Sequence, residues 1–338
     1  MDEDDLYDAY LDRVLAGSAE SVEAFVAAHG GARPELHARL LALHRLVVDR
    51  ARGDVGDPAL AALPDGTPDP ASDAAGAAPP DVPRARIGRY RLLRRIGQGG
   101  MGDVFLAEDV TLRRCVALKL LRAHADRSAT AAERFAREAR AVARLRHPSV
   151  VTLYEAGEDD GIRFLAMELV PGRGLDEIAG DAADPPATAD VVRWGAELAR
   201  ALAAAHAAGI VHRDVKPANV RIAADGRAML LDFGVARDLV AGDPTLTGPF
   251  LGSPVYAAPE QVSGGTVDAR TDVHGLGVTL YECLSGRPPH EAGTVEETLH
   301  RVLTADPEPL RRRNPAVSRD LALVVTRAME KDPAQRYA

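Results

Sequence analysis

Cysteine and aromatic residues are scarce in this chain. Its 338 residues include only two cysteines, Cys115 and Cys283, one tryptophan, and 4% aromatic side chains in all. Two distant cysteines without metal-ligand spacing exclude a disulfide framework and a zinc site, and they fit a reducing compartment. A basic excess is also missing: 41 Lys and Arg stand against 50 Asp and Glu, for a net charge of −9. That balance argues against a nucleic-acid partner bound through phosphate neutralisation. No apolar run approaches the roughly 18–20 residues that cross a bilayer. The start, MDEDDLYDAY, lacks the basic-then-apolar order of a signal peptide. The expectation is a cytoplasmic chain without a membrane span. What is present is 46% hydrophobic content, enough to bury a core.

Three zones follow one another. Over residues 1–52, Leu6, Tyr10 and Val14, then Leu36, Leu40, Leu43 and Val47, recur at helical spacing, with Gly17-Ser18 and Gly30-Gly31 between them. This predicts about three short helices. Residues 53–86 are Ala, Pro, Asp and Gly with scarcely a large apolar side chain, the composition of a disordered linker. From Ile87 onward, period-two segments come first: YRLLRRI, DVFLAE, CVALKLL, VVTLYEAG and RFLAMELV, interrupted by one helical stretch near 131–146. The remainder is mostly helical, with a hairpin signal at Asp225-Gly226. A strand-rich part followed by a helix-rich part predicts two lobes.

In IGQGGMGDV, Gly97, Gly99 and Gly102 form a G-x-G-x-x-G pattern. A dinucleotide-binding loop would open into a helix, and the phosphate loop of NTPases would end in Gly-Lys-Ser/Thr. Here an alternating strand follows, so the glycines belong to a hairpin whose bare backbone suits approach to phosphates. Lys119 lies in the apolar string VALKLL, where burial without a partner is costly. Phe135, Glu138, Val142 and Leu145 share a helical stripe, which makes Glu138 the candidate partner. The alternative reading leaves both as surface charges.

HRDVKPANV places Asp214, Lys216 and Asn219 within six residues, and LLDFG sets Asp232 at the end of a strand. Asn219 and Asp232 offer hard oxygen ligands for a cation. Asp214 is left to orient a hydroxyl and accept its proton, and Lys216 adds positive charge where a phosphoryl group would be transferred.

In this order the strings IGQGGMGDV, VALK, HRDVKPANV, DFG and APE (Ala258–Glu260) resemble the eukaryotic-like, Hanks-type serine/threonine protein kinases of bacteria. The resemblance covers Ile87 to the last residue. It implies an α+β, two-lobed protein-kinase fold: a small antiparallel β-sheet lobe with one helix (about 87–170) and a larger, mostly helical lobe (about 171–338). It implies transfer of the γ-phosphate of ATP to Ser and Thr of protein substrates, with Mg²⁺, or Mn²⁺ in its place. By resemblance, Gly97, Gly99 and Gly102 cover the phosphates, and Lys119 grips them while pairing with Glu138. Ile96, Val104, Ala117, Met167 (the gatekeeper), Glu168, Val170 and Arg221 surround the base. Asp214 is the catalytic carboxylate, and Asn219 and Asp232 hold the metal. Lys216 in D-x-K-P-x-N resembles the Ser/Thr branch, and Ser253 stands where the family usually has a Thr.

The resemblance also implies that Arg213 receives a phosphorylated activation-segment residue, with Thr245 and Thr247 as acceptors. A homodimer for trans-autophosphorylation is compatible with it. Glu260 with Arg336, and Asp272, match the family's structural anchors. Two departures stand out. Arg221 replaces the usual apolar residue beneath the base; either its stem lines the floor while the guanidinium reaches solvent, or ATP affinity is weakened. QRYA at the end resembles the approach to a last helix, so the natural protein is expected to continue. A catalytically weak pseudokinase or scaffold, or a nucleotide-sensing module, is the competing reading, although Lys119, Asp214 and Asp232 are all present. His37 and His44, two turns apart, read as a solvated face rather than a metal site.

Overall fold

The computed structural model describes residues 3–16, 21–29, 36–37, 40–41, 44, 86–99, 102–121, 129–233 and 253–338. The expected linker, apart from Arg86, and Thr245 and Thr247 lie outside these residues. The chain divides into two compact units, Met1–Ala123 with Tyr154–Pro171, and His124–Leu153 with Gly172–Ala338.

The first unit opens with helices α1 (Glu3–Leu15) and α2 (Val22–Ala28). Ser21 caps α2 by accepting the Ala24 N–H at 3.2 Å. Residues 36, 37, 40, 41 and 44 are also helical. The strands are β1 (Arg86–Ile87), β2 (Tyr90–Gly99), β3 (Gly102–Asp109), β4 (Arg114–Leu121), then, after helix α3 (Ala129–Arg144) of the second unit, β5 (Leu153–Asp159) and β6 (Ile162–Glu168). They form one six-stranded sheet in the order β1-β2-β3-β4-β6-β5. At the β3–β4 turn the Asp109 carboxylate accepts the N–H groups of Thr111 and Leu112 at 3.2 and 3.0 Å, the local bonding that lets a short polar side chain set a turn.

Alternation along the strands sorts two apolar sets onto two faces of this sheet. Phe105, Ala107, Val116, Leu118, Leu120, Phe164 and Ala166 share one cluster with Ile87, Tyr90 and Leu92. The other face carries Leu106 and Cys115, which join Leu6, Tyr10, Leu11, Val14, Phe25 and their helical neighbours in a second cluster. The apolar stripe read from Leu6, Tyr10 and Val14 is therefore buried, at 2%, 0% and 1% exposure. His44 departs from the solvated face expected for it. Its Nδ1 lies 2.6 Å from the Tyr10 hydroxyl, which sets the ring against α1. His37 remains half-exposed beside Glu23.

In the second unit, β7 (Gly172–Gly174) leads into α4 (Leu175–Ala179) and the long α5 (Thr188–Ala207). Strands β8 (Val220–Ala223) and β9 (Ala228–Leu230) form the expected hairpin, and β7-β8-β9 is a small antiparallel sheet. Gly172, at φ +146°, must be glycine: an added Cβ would sit 2.0 Å from the Ile222 carbonyl oxygen. Trp194 of α5 donates to the Gly226 carbonyl at 3.0 Å, and Glu197 accepts the Ala228 N–H at 2.8 Å, so α5 holds the hairpin from outside. Then come α6 (Pro259–Ser263), α7 (Ala269–Ser285), α8 (Val295–Thr304), α9 (Leu310–Arg313) and α10 (Arg319–Ala328). Asp268 caps α7, and Gly286 closes it in the left-handed region at φ +76°. Among the described residues, no helix is long and apolar enough to cross a membrane.

Candidate active site

The residues expected around a nucleotide in the first unit fall on one face of the sheet. The register pairs Val104 with Lys119, Leu106 with Ala117, and Ala117 with Met167, so Val104, Ala117, Lys119 and Met167 point the same way. Lys119 is 7% exposed and Met167 is buried, while Val104 and Ala117 are half-buried. Ile96, Gly97 and Gly99 end β2, and Gly102 begins β3. Of these glycines, Gly102 is demanded by the fold, since a Cβ there would meet the Leu120 carbonyl oxygen at 2.1 Å. Gly97 and Gly99 have ordinary room for a side chain. Glu168 ends β6, and Val170 follows it, buried. Glu138 lies in the second unit on α3, half-buried between the buried Phe135 and Val142.

The second unit gathers Asp214, Lys216 and Asn219 into one bonded group. Asn219 closes a 3₁₀ turn at Pro217–Asn219, is 8% exposed, and donates through Nδ2 to the Asp214 carbonyl at 2.7 Å and to its Oδ2 at 2.9 Å. Lys216 Nζ stands 3.0 Å from Asp214 Oδ2. The Leu231 N–H bonds to the Asn219 carbonyl at 2.8 Å, which brings Asp232 beside Asn219. Asp232 and Arg213 adopt φ values of +50° and +66°, a region that costs a non-glycine residue about 1–2 kcal/mol. Such strain persists where the surroundings over-determine it.

For Arg213 those surroundings come from α6 and α7. Asp272, 1% exposed, accepts the backbone N–H of His212 at 2.8 Å and of Arg213 at 2.7 Å. Its Oδ2 also lies 2.7 Å from His206 Nε2. Gln261 Nε2 donates to the Arg213 carbonyl at 2.9 Å, so both sides of the strained peptide are held. The buried His212 ring bonds to the Leu231 carbonyl at 2.7 Å and lies 4.7 Å from the Phe233 ring. His206 and Gln261 carry no sequence signal for this role; they are reached only through contacts 48 or more residues apart.

Glu260 and Arg336 form a bidentate pair with both contacts at 2.8 Å, and Thr271 donates to Glu260 at 2.7 Å. Burial works against the Glu260 charge, but the bonds from Arg336 and Thr271 outweigh it, and its pKa falls below the ordinary carboxylate value. Arg221 differs from the expectation that its guanidinium reaches solvent: the group is half-buried and donates to the Gly172 carbonyl. Burial pushes its pKa down, opposed by the charges of Glu177 and Asp176.

No cluster of three or more His, Cys, Asp or Glu able to hold a metal ion occurs among the described residues. Asn219 and Asp232 supply oxygen donors instead. With Nδ2 committed to Asp214, the amide oxygen is the atom of Asn219 that could face a cation. Two protein oxygens with substrate phosphates and water completing the shell are the donor set a Mg²⁺-like cation takes.

The protein kinase domain family matches residues 90–338, and the chain belongs to that family. Within it, the similar proteins are bacterial serine/threonine kinases. The chain is 40% identical over 255 residues to serine/threonine-protein kinase PknB of Mycobacterium leprae, covering 74% of this chain and 41% of the relative. It is 42% identical over 257 residues to serine/threonine-protein kinase pkn2 of Myxococcus xanthus, covering 74% and 31%. PrkC of Bacillus subtilis is 38% identical over 250 residues, with 74% and 38% covered. The chain thus spans less than half the length of these curated relatives. Among solved structures, the kinase domain of Mycobacterium tuberculosis PknI aligns with TM-score 0.60 and 30% identity over 75% of this chain and 92% of that one.

Proposed function

We propose that this chain is an ATP- and Mg²⁺-dependent serine/threonine protein kinase, with residues 87–338 as its catalytic domain. The observation that carries the reading is the bonded set Asp214–Lys216–Asn219, with Asp232 beside it. Asp214 Oδ2 is held from one side by Asn219 and from the other by Lys216, which fixes its direction before any substrate arrives. A carboxylate so placed orients the acceptor hydroxyl and takes its proton as the oxygen attacks the γ-phosphorus. Lys216, beside that carboxylate, offsets the negative charge of the transferring phosphoryl group. Asn219 and Asp232 would hold Mg²⁺, with Mn²⁺ able to replace it; the ion supplies charge neutralisation on the phosphates.

In the first unit, Lys119 would grip the phosphates and pair with Glu138. Glycine at 97 and 99, where the fold leaves room for a side chain, is accounted for by close approach of phosphates to the backbone. Ile96, Val104, Ala117, Met167, Glu168 and Val170 would enclose the base. The substrates are proteins bearing Ser or Thr. Autophosphorylation at Thr245 or Thr247, in trans between two copies, would supply the phosphate that Arg213 receives. A cytoplasmic location fits these substrates.

The test is transfer from γ-labelled ATP to a generic basic protein across a titration of Mg²⁺ and Mn²⁺, followed by phosphoamino-acid identification. Label on Ser and Thr that requires the metal supports the reading. Nucleotide binding without transfer at any metal concentration would instead support the sensing module.

A further inference from the structure

The N-terminal helices precede the family match, which begins at residue 90. Yet they share a hydrophobic cluster with the sheet. We propose that these helices are a docked module that supports the nucleotide-binding face of the sheet, so that module docking and nucleotide binding strengthen each other. The proposal rests on the kinase reading for the position of the nucleotide.

Strand alternation carries the argument. Cys115, Ala117 and Lys119 are successive residues on one face of β4, and Val104 and Leu106 lie opposite them on β3. The module covers one end of that face. Leu106 is 0% and Cys115 8% exposed, both within the cluster built by Leu6, Tyr10, Leu11, Val14 and Phe25. The other end of the same face carries Ala117, Val104 and Lys119. The module buries several large apolar side chains of its own against this end of the sheet, so this is a substantial interface and not a loose tether.

Two residues join the covered end to the nucleotide end. Ile96, just ahead of the glycine turn, and Leu169, between Glu168 and Val170, both pack against the module's cluster. Displacing the helices would remove support from the side chain that borders the base and from the segment that pairs with it. An ion pair between Asp12 of α1 and Arg94 of β2, at 2.7 Å, sets the register of docking. Because the coupling is thermodynamic it is reciprocal: whatever factor the module adds to nucleotide affinity, nucleotide adds to module docking.

Cys115 provides the readout, since its thiol is buried beneath the module, while Cys283, 5% exposed on α7, reports on the second unit. The full chain is treated with a maleimide, and adducts at the two cysteines are followed by mass spectrometry. Leu11→Asp puts a charge into the cluster, and Val14→Ala removes two methyl groups from it without disturbing helix formation. In both variants Cys115 labels faster than in the parent while Cys283 stays protected. A non-hydrolysable ATP analogue with Mg²⁺ slows Cys115 labelling of the parent by at least about 5-fold, and its Kd rises by a similar factor in Leu11→Asp, where the buried charge undocks the module.

Equal Cys115 labelling in the parent and both variants would overturn the docking. Analogue that binds but leaves Cys115 labelling unchanged, with one Kd for parent and Leu11→Asp, would overturn the coupling while the kinase reading stands. Tighter analogue binding by Leu11→Asp would reverse the sign and overturn the proposal as stated. Failure of the parent to bind the analogue at all would remove both the coupling and the kinase reading.

Discussion

Asn219 makes Asp214 a carboxylate with a fixed direction: one amide nitrogen donates to its backbone oxygen at 2.7 Å and to its Oδ2 at 2.9 Å. Asn219→Asp exchanges that donor for an acceptor of like charge. Phosphotransfer should fall by about 10²-fold or more, the ordinary worth of a positioned acid–base group. Unchanged circular dichroism alongside the lost rate, measured by single-turnover kinetics, would show that positioning and not folding was removed.

Asp272 accepts two consecutive backbone N–H groups, of His212 and Arg213, and also contacts His206. Asp272→Ala leaves buried donors unmet, at about 1–3 kcal/mol each. The strained Arg213 peptide should relax, and kcat should drop more than KM rises. Steady-state kinetics at a temperature well below the unfolding midpoint separates this from simple loss of stability.

Arg336→Met leaves Glu260 buried with Thr271 alone. Breaking a buried pair by removing one partner costs about 3–5 kcal/mol, and the denaturant midpoint of the second unit should fall accordingly. A midpoint unmoved by the substitution would show that the pair is not buried in solution.

Arg221 is tied to the Gly172 carbonyl and to the charges of Asp176 and Glu177. Arg221→Leu should therefore lower stability by about 1.5–3 kcal/mol, the net value of a hydrogen bond with charge assistance. Nucleotide affinity should stay within about 2-fold, because uniform binding free energy changes by less than RT. Calorimetric titration of an ATP analogue checks it; a larger change would place the guanidinium against the base.

Acid should destabilise the second unit through His290 and His274. Burial, then Lys331 and Arg301, push the His290 pKa down to about 4; burial, then Arg336, Lys331 and His290, push His274 well below its ordinary value. Above pH 6.5 both imidazoles are neutral in folded and unfolded chain alike. As pH falls below that, the unfolded chain takes up protons that the folded one refuses, and stability drops by about 2 kcal/mol by pH 5 for His290 alone. Lys331, which contacts His290 at 3.1 Å and is itself depressed to about 8, keeps the ring neutral. Urea midpoints at pH 7.5 and 5 test this, and His290→Phe should remove part of the acid loss.

The legible parts of this protein were those written locally. Alternation in YRLLRRI and CVALKLL marked β2 and β4, and the spacing in HRDVKPANV placed Asp214, Lys216 and Asn219 together because a single loop carries all three. The braces were hidden because each is a long-range bond: nothing around His206 or Gln261 announces Asp272 or Arg213. The spacing of Leu6, Tyr10 and Val14 marked α1 as a helix, but a stripe does not name what it packs against. Leu106 and Cys115 do so only once the strands are paired. The Arg221 contact was not legible for a similar reason, since its acceptor, Gly172, is 49 residues away.

The central claim is that Asp214 carries phosphoryl transfer. Parent and Asp214→Asn proteins, matched in circular dichroism, are incubated with γ-labelled ATP, Mg²⁺ and a protein acceptor, and incorporated label is counted. The account predicts robust, metal-dependent labelling by the parent and a loss of about 10²-fold or more in the variant. Equal labelling by both proteins would contradict it.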